Sequence, residues 1–182
     1  MKHTDIKICG FGGQGIILSG YIMGKAAAIY DKKHATLTQS YGPESRGGAC
    51  SAQVIISDYE IDYPEVLHPD ILIVMSKEAY DKYVPGLNNN GMLIYDDDMV
   101  ENSNKFPSGT KIFSIPATRF AEDIGRKIVA NIIMLGFFTA VTDIIETKSM
   151  EEALLSSIPV GTEELNLKAF HTGYNYGLKK LK

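Results

Sequence analysis

Gly10, Gly12, Gly13, Gln14 and Gly15 are the first residues whose types and spacing could do chemistry. They stand in GFGGQG, where Gly10, Gly12 and Gly15 satisfy G-x-G-x-x-G between an apolar run and a stretch of helix formers. Glycine lets a backbone approach a phosphate closely, and a helix starting just beyond it offers unpaired N–H groups. The same glycines would equally serve a tight turn with close helix–sheet packing. The neutral amide of Gln14 can donate and accept at once, which suits a pyrophosphate edge or the backbone of another chain. A nicotinamide dinucleotide would need an acid at the end of the second strand, where this chain has Gln39 and Ser40. Packing, a ligand and a partner contact all remain open for this loop.

A second loop, SYGPESRGG at 40–48, is more constrained. Pro43 restricts Gly42 and stiffens the turn, while Gly47 and Gly48 let the chain swing past whatever Arg46 faces. An exposed Glu44–Arg46 pair would contribute only about 0–1 kcal/mol, too little to explain so rigid a segment. Tyr41, Gly42, Glu44, Arg46, Gly47 and Gly48 are therefore candidates for recognising a carboxylate, a phosphate or another chain. In a doubly wound sheet this loop could sit beside the glycine loop, beyond the strand C-termini. Asp96, Asp97 and Asp98 follow a strand end, a permissible metal position, although a solvated loop or helix cap is the ordinary reading of such a run. No metal site is expected. His3, His34, His68 and His171 have no ligand spacing, and His171 is expected at a surface or interface. Cys9 and Cys50 form no C-x-x-C pair, and Cys9 reads as a small buried hydrophobe in a strand.

The elements that must position these residues follow from hydrophobic patterning. Strands are expected at 5–9, 34–39, 49–57, 71–75, 92–96 and 111–116, with helices over 16–30, 118–126, 128–146, 149–157 and 163–180. Ser149 and Glu152 match a capping box for the helix that would begin there. This order predicts a single α/β, Rossmann-like domain over 1–182. Its sheet would be mainly parallel, with an antiparallel excursion around 40–48 and a helical C-terminal third. The stretch IVANIIMLGFFTAV is apolar on nearly every face, so its helix must be central or covered by another chain. On it Asn131 needs a hydrogen-bond partner if buried and is a further candidate for substrate or interface contact, and Gly136 would permit close approach of a neighbouring helix.

Hydrophobic residues make up 45% and charged residues 22% of the 182 residues, an ordinary balance for a globular domain. A formal charge of −4 argues against nucleic acid as a partner. The longest apolar stretch is shorter than a membrane span and is interrupted by Asn131, and no signal peptide is recognised, so a cytoplasmic protein without a membrane partner is expected.

Four segments carry a family resemblance: GFGGQG, TQSYGPESRGGACSAQVIIS at 38–57, KIVANIIMLGFF at 127–138 and NLKAFHTGYNYG at 166–177. Together, in order and across nearly the whole chain, they resemble the γ subunit of 2-oxoacid:ferredoxin oxidoreductases. The resemblance implies oxidative decarboxylation of a 2-oxoacid with coenzyme A to acyl-CoA, CO2 and reduced ferredoxin. It implies α, β and in some versions δ subunits as partners, holding thiamine diphosphate, magnesium and [4Fe-4S] clusters, with ferredoxin reached through the complex. SYGPESRGG is closest to the form of the 2-oxoglutarate enzyme, although Ser45 stands where that form would carry methionine. Alternatives are the equivalent subunit of an indolepyruvate, pyruvate or branched-chain enzyme, or a free-standing nucleotide-binding module. This chain has no residue set for the full reaction, so no catalytic residue and no cofactor of its own are expected. Gly12 to Gly15 and the 41–48 loop would line the approach of coenzyme A or contact other subunits. A subunit of this kind is expected to be sticky or unstable alone.

Overall fold

The computed structural model describes residues 3–41, 49–101 and 106–182. Gly42, Glu44, Arg46, Gly47 and Gly48 lie outside the described residues. Six strands form one sheet in the order β2-β3-β1-β4-β5-β6: β1 (His3–Phe11), β2 (His34–Tyr41), β3 (Ala49–Ser57), β4 (Ile71–Val74), β5 (Met92–Asp96) and β6 (Lys111–Ile115). β1, β4, β5 and β6 pair in parallel, whereas β3 runs antiparallel to both β1 and β2. The expected antiparallel excursion is thus β3, inserted between the two N-terminal strands. β2 keeps the common direction but stands one place away from β1. The acid-bearing strand of a dinucleotide fold should be β1's own neighbour, and here that neighbour is the reversed β3.

Alternation along β1 sorts its side chains between two apolar layers. Ile6 and Ile8 belong to the larger cluster, with α1 (Ile16–Lys25), α3 (Ala117–Ile124), α4 (Ala130–Thr142), α5 (Thr147–Leu155) and α6 (Glu163–Lys180). Cys9 faces the smaller one, with Leu72, Val74, Tyr80 and Leu93, beneath α2 (Lys77–Tyr83). Both sheet faces are therefore covered, which matches the continuous apolar run of β4. α1 continues into a π-helical turn over Ala26–Tyr30, so the expected helix over 16–30 is present with a change of winding near its end.

α4 resolves the choice its composition left open. Every residue from Ala130 to Val141 is buried, with α6 packed along it. A Cβ on Gly136 would fall far inside 3.0 Å of the Phe170 carbonyl, and one on Gly173 equally close to that of Ile133. The two backbones touch through glycine, so α4 is the chain's own central helix and needs no other chain to cover it. No helix among the described residues is long and apolar enough to cross a membrane.

Two local expectations are corrected. Ser149 is buried within α5, which starts two residues earlier after Glu146, so Ser149 and Glu152 form no capping box. Instead the Glu146 N–H donates to Asp31 Oδ2 at 3.1 Å, an acceptor from the other end of the sequence. α2 was not among the expected helices. Ser76 caps it by accepting from the Ala79 N–H, and seven residues leave too little room for periodicity to show.

Candidate functional site

β1 extends through Phe11, which shortens the glycine loop to Gly12–Gly15. Gly10 is a strand residue paired with Cys50, and a Cβ there would strike Gln14 Oε1. The Gln14 side chain folds back over that space. Its Oε1 accepts from the Phe11 N–H at 2.6 Å, and its Nε2 donates to the Met75 carbonyl at 2.8 Å, just beyond β4. The amide that could have met a ligand or partner therefore braces β1 to β4, leaving the exposed backbone at Gly12 and Gly13 as the loop's outward face.

Gly15 opens α1 with φ 74° and no side-chain cap, and the first turn of α1 carries no acidic residue. Its carbonyl accepts from the Ser19 N–H, from Ser19 Oγ and, at 3.2 Å, from Asn131 Nδ2. A Cβ on Gly15 would collide with that Asn131 amide. The buried asparagine of α4 thus locks the start of α1, an instance of the backbone-carbonyl partner that a buried amide requires. Gly15 is held both by its left-handed backbone and by Asn131.

Two cavities flank this loop. One, of about 640 Å3, runs from Phe11, Gly12 and Gly13 to Tyr41 and Cys50. Tyr41 ends β2 and lines this cavity, and Ala49 at the start of β3 pairs with Phe11, so the described residues on either side of 42–48 lie beside the glycine loop. Tyr41 is exposed, its hydroxyl donating to Gln39 Oε1 at 2.7 Å. The other, of about 430 Å3, shares Gly13, Gly15 and Leu18 with the first and lies between these, Asn131 and the N-terminal turn of α6. Its Arg126, Ile128 and Asn166 were not singled out in the sequence. Asn166 had a legible signal, as a polar residue on the stripe that Ala169, Phe170, Gly173 and Gly177 bury along α6.

The remaining candidates take structural positions. Asp96 is fully buried, and its carboxylate accepts from the Asp98 N–H, the Thr118 N–H and Thr118 Oγ1. Asp98 accepts from the Arg119 N–H and pairs with its guanidinium. The acidic run thereby holds the N-terminus of α3, whose own preceding residue is Pro116. Burial pushes the Asp96 carboxyl up from its usual range, against the pull of its three hydrogen bonds, while the neighbouring Asp98 charge adds to the rise. Cys9 donates to the Ile73 carbonyl, and burial pushes its thiol far up. Cys9 and Cys50 lie on opposite faces of the sheet and cannot ligate one cluster together. His171 is exposed beside Glu151 at 3.6 Å.

The family model for pyruvate ferredoxin/flavodoxin oxidoreductase matches residues 5–176. The chain is 52% identical over 173 residues to the 2-oxoglutarate synthase subunit KorC of Methanocaldococcus jannaschii, covering 94% of this chain and 92% of that one. A crystal structure of a keto/oxoacid ferredoxin oxidoreductase γ subunit from Geobacter sulfurreducens superposes with a TM-score of 0.87 at 41% identity, over 98% of both chains. The 2-oxoglutarate:ferredoxin oxidoreductase from Magnetococcus marinus shares the fold, with a TM-score of 0.88 at 22% identity. There the match takes in all of this chain and 32% of the other.

Proposed function

The chain belongs to the pyruvate ferredoxin/flavodoxin oxidoreductase family, and we propose that it is the γ subunit of a 2-oxoglutarate:ferredoxin oxidoreductase. In this reading the assembled enzyme converts 2-oxoglutarate and coenzyme A to succinyl-CoA, CO2 and reduced ferredoxin. The observation that carries the substrate is the 52% identity to a 2-oxoglutarate synthase subunit along nearly the full length of both chains. Thiamine diphosphate, magnesium and the [4Fe-4S] clusters belong to the α, β and δ subunits. The two thiols on opposite sheet faces and the Asp96 carboxylate engaged by α3 support that division.

This chain contributes binding surface and assembly. Gly12 and Gly13 present backbone at the start of α1, where the helix dipole favours an anion. Arg46 and Tyr41 belong to the neighbouring loop, whose described ends reach the same cavity. A phosphate of coenzyme A is one occupant of this edge, and a surface of the α or β subunit is the other. The cytoplasm is the compartment consistent with ferredoxin as acceptor.

The native complex, purified through this chain, is expected to reduce a low-potential acceptor with 2-oxoglutarate and coenzyme A in preference to pyruvate, indolepyruvate or 2-oxoisovalerate. Preference for another of these acids would overturn the substrate. Arg46→Ala is expected to raise the apparent KM for coenzyme A with the complex intact. An unchanged KM with intact assembly would leave the edge to subunit contact alone.

A further inference from the structure

β2 is the outer strand at one end of the sheet, and among the described residues no backbone group bonds to its free side. An open strand edge is a template for a further strand, and folded chains ordinarily blunt it with charge, proline or brevity. The opposite edge carries these devices: β6 has five residues, begins at Lys111 and ends just before Pro116. β2 has none of them. Its eight residues, HATLTQSY, include no proline, glycine, lysine, arginine or carboxylate.

The side chains of β2 indicate what pairs with it. Alternation puts Ala35 and Leu37 on the α1 side, against the main core, and Thr36 and Thr38 on the other. Both threonine hydroxyl oxygens are buried without a hydrogen-bond partner among the described residues. The run Thr36-Leu37-Thr38 reads the same in both directions. An antiparallel copy centred on Leu37 therefore sets Thr36 of each chain opposite Thr38 of its mate, and threonines so placed pair through their hydroxyls. A strand from another protein would have to bring hydroxyls to both positions, whereas a second copy already carries them. The same two-fold puts both α1 helices on one face of the seam. Gly20 seats α1 over Ala52 and Val54 of β3, so the two helices would lie about three strand spacings, roughly 14 Å, apart. That is wider than the roughly 8–10 Å of helices in direct contact and leaves room for large side chains between them. Tyr21 and Ile29 stand there, 50% and 54% exposed, beside a groove of about 440 Å3 that runs along Ala35 and Leu37. We infer that β2 is a self-association edge, at which two copies of this chain pair antiparallel about Leu37 and continue the sheet from one into the other.

The seam is modest in size. Eight strand residues extend about 26 Å, and one sheet with one helix is about 20 Å deep, giving roughly 500 Å2 per partner. That is the lower end for a specific interface, so the dimer should dissociate in the micromolar range. Its pairing holds whichever 2-oxoacid the assembled enzyme takes. Sedimentation equilibrium of the full chain between about 1 μM and about 1 mM should show a reversible monomer–dimer equilibrium. Thr36→Lys with Thr38→Lys sets cation against cation at both threonine pairs and should weaken the dimer at least about tenfold. Thr36→Lys with Thr38→Glu sets opposite charges at the same two places and should return dissociation to within about threefold of wild type. Tyr21→Ser, on α1, should weaken the dimer about tenfold with β2 intact. Near-ultraviolet circular dichroism checks the fold of each variant. The amides of β2 should exchange more slowly as the chain self-associates. A chain that stays monomeric throughout, a dimer indifferent to the paired lysines, or one lost equally with the lysine–glutamate combination would overturn the inference. So would β2 amides that slow only when the α or β subunit is added, because the edge would then belong to another chain.

Discussion

Asp96 shows how a residue that could ligate a metal is drawn into the frame instead. Its neighbours in sequence are acidic, and the three carboxylates approach within 4.8 Å of one another. Yet Asp96 alone is fully buried at the end of β5, where it accepts three hydrogen bonds from the Asp98 backbone and from Thr118. Sequence could place a helix cap in this run but could not tell which aspartate points inward, because that depends on where β5 ends: Asp96 is its last residue, and Asp97 and Asp98 lie in the exposed turn beyond it. The carboxylate matters in two ways that can be separated. Asp96→Asn removes one acceptor and should cost about 1–3 kcal/mol of stability at neutral pH. Burial raises the folded-state pKa of Asp96, so the folded chain takes up this proton before the unfolded chain does. At this group acidification from neutral pH toward the ordinary aspartate value of about 3.9 favours folding. The stability advantage of wild type over Asp96→Asn should therefore grow as pH falls through that window, measured by urea unfolding at a series of pH values. An advantage that shrinks instead would mean that the hydrogen bonds outweigh burial and hold the group ionised.

Glycine does different work in different elements, and the contrast between α1 and α6 tests it. At Gly24 in α1 no atom lies within 4 Å of an added Cβ, whereas at Gly173 in α6 the Ile133 carbonyl blocks it outright. Gly24→Ala should therefore stabilise the chain by about 0.5–1 kcal/mol through helix propensity. Gly173→Ala must push α6 off α4 and should cost at least about 2 kcal/mol, because the glycine contacts at Gly136 and Gly177 open with it. Chemical denaturation of both variants checks the pair, and equal effects would show that the crossing can shift freely. Much of the element layout was readable beforehand. The six strands and the helices of the C-terminal third follow from apolar runs and turn residues, and α6 was placed to its last residue. What escaped was set by contacts distant in sequence. α2 is one short amphipathic stretch held by a Ser76 cap, and the start of α5 is fixed by Asp31, more than a hundred residues earlier. At the loop, the glycines and Asn131 were each singled out from the sequence, but not their contact, since Asn131 reaches Gly15 from α4, more than a hundred residues away. The inward turn of Gln14 was not visible either, because its partner at Met75 arrives from β4.

At the scale of the whole chain, the central helix changes what a subunit should do when it is alone. The apolar composition of α4 allowed a helix that only a partner could cover, and with it a chain unable to stand by itself. Its own α6 covers it, and the sheet is lined on both faces by residues of this chain. The accessible surface is 9131 Å2, close to the roughly 8,700 Å2 expected of a folded monomer of this size. The chain thus hides from water what a free-standing domain of its length hides. Its partners have no missing core to supply. Large apolar side chains do remain outside, Ile128 and Val160 beside the α6 cavity and Tyr41 beside the glycine loop. These lie at edges rather than at the centre, so they favour association without governing folding. Expressed alone, the full chain should therefore unfold in one cooperative transition, with coincident far-ultraviolet and near-ultraviolet signals, its ten tyrosines reporting the latter. Calorimetric and van't Hoff enthalpies should agree, and the isolated chain should turn over no 2-oxoacid. A chain that binds hydrophobic dye and lacks near-ultraviolet structure until its partners are added would show that the α4–α6 core closes only in the assembly.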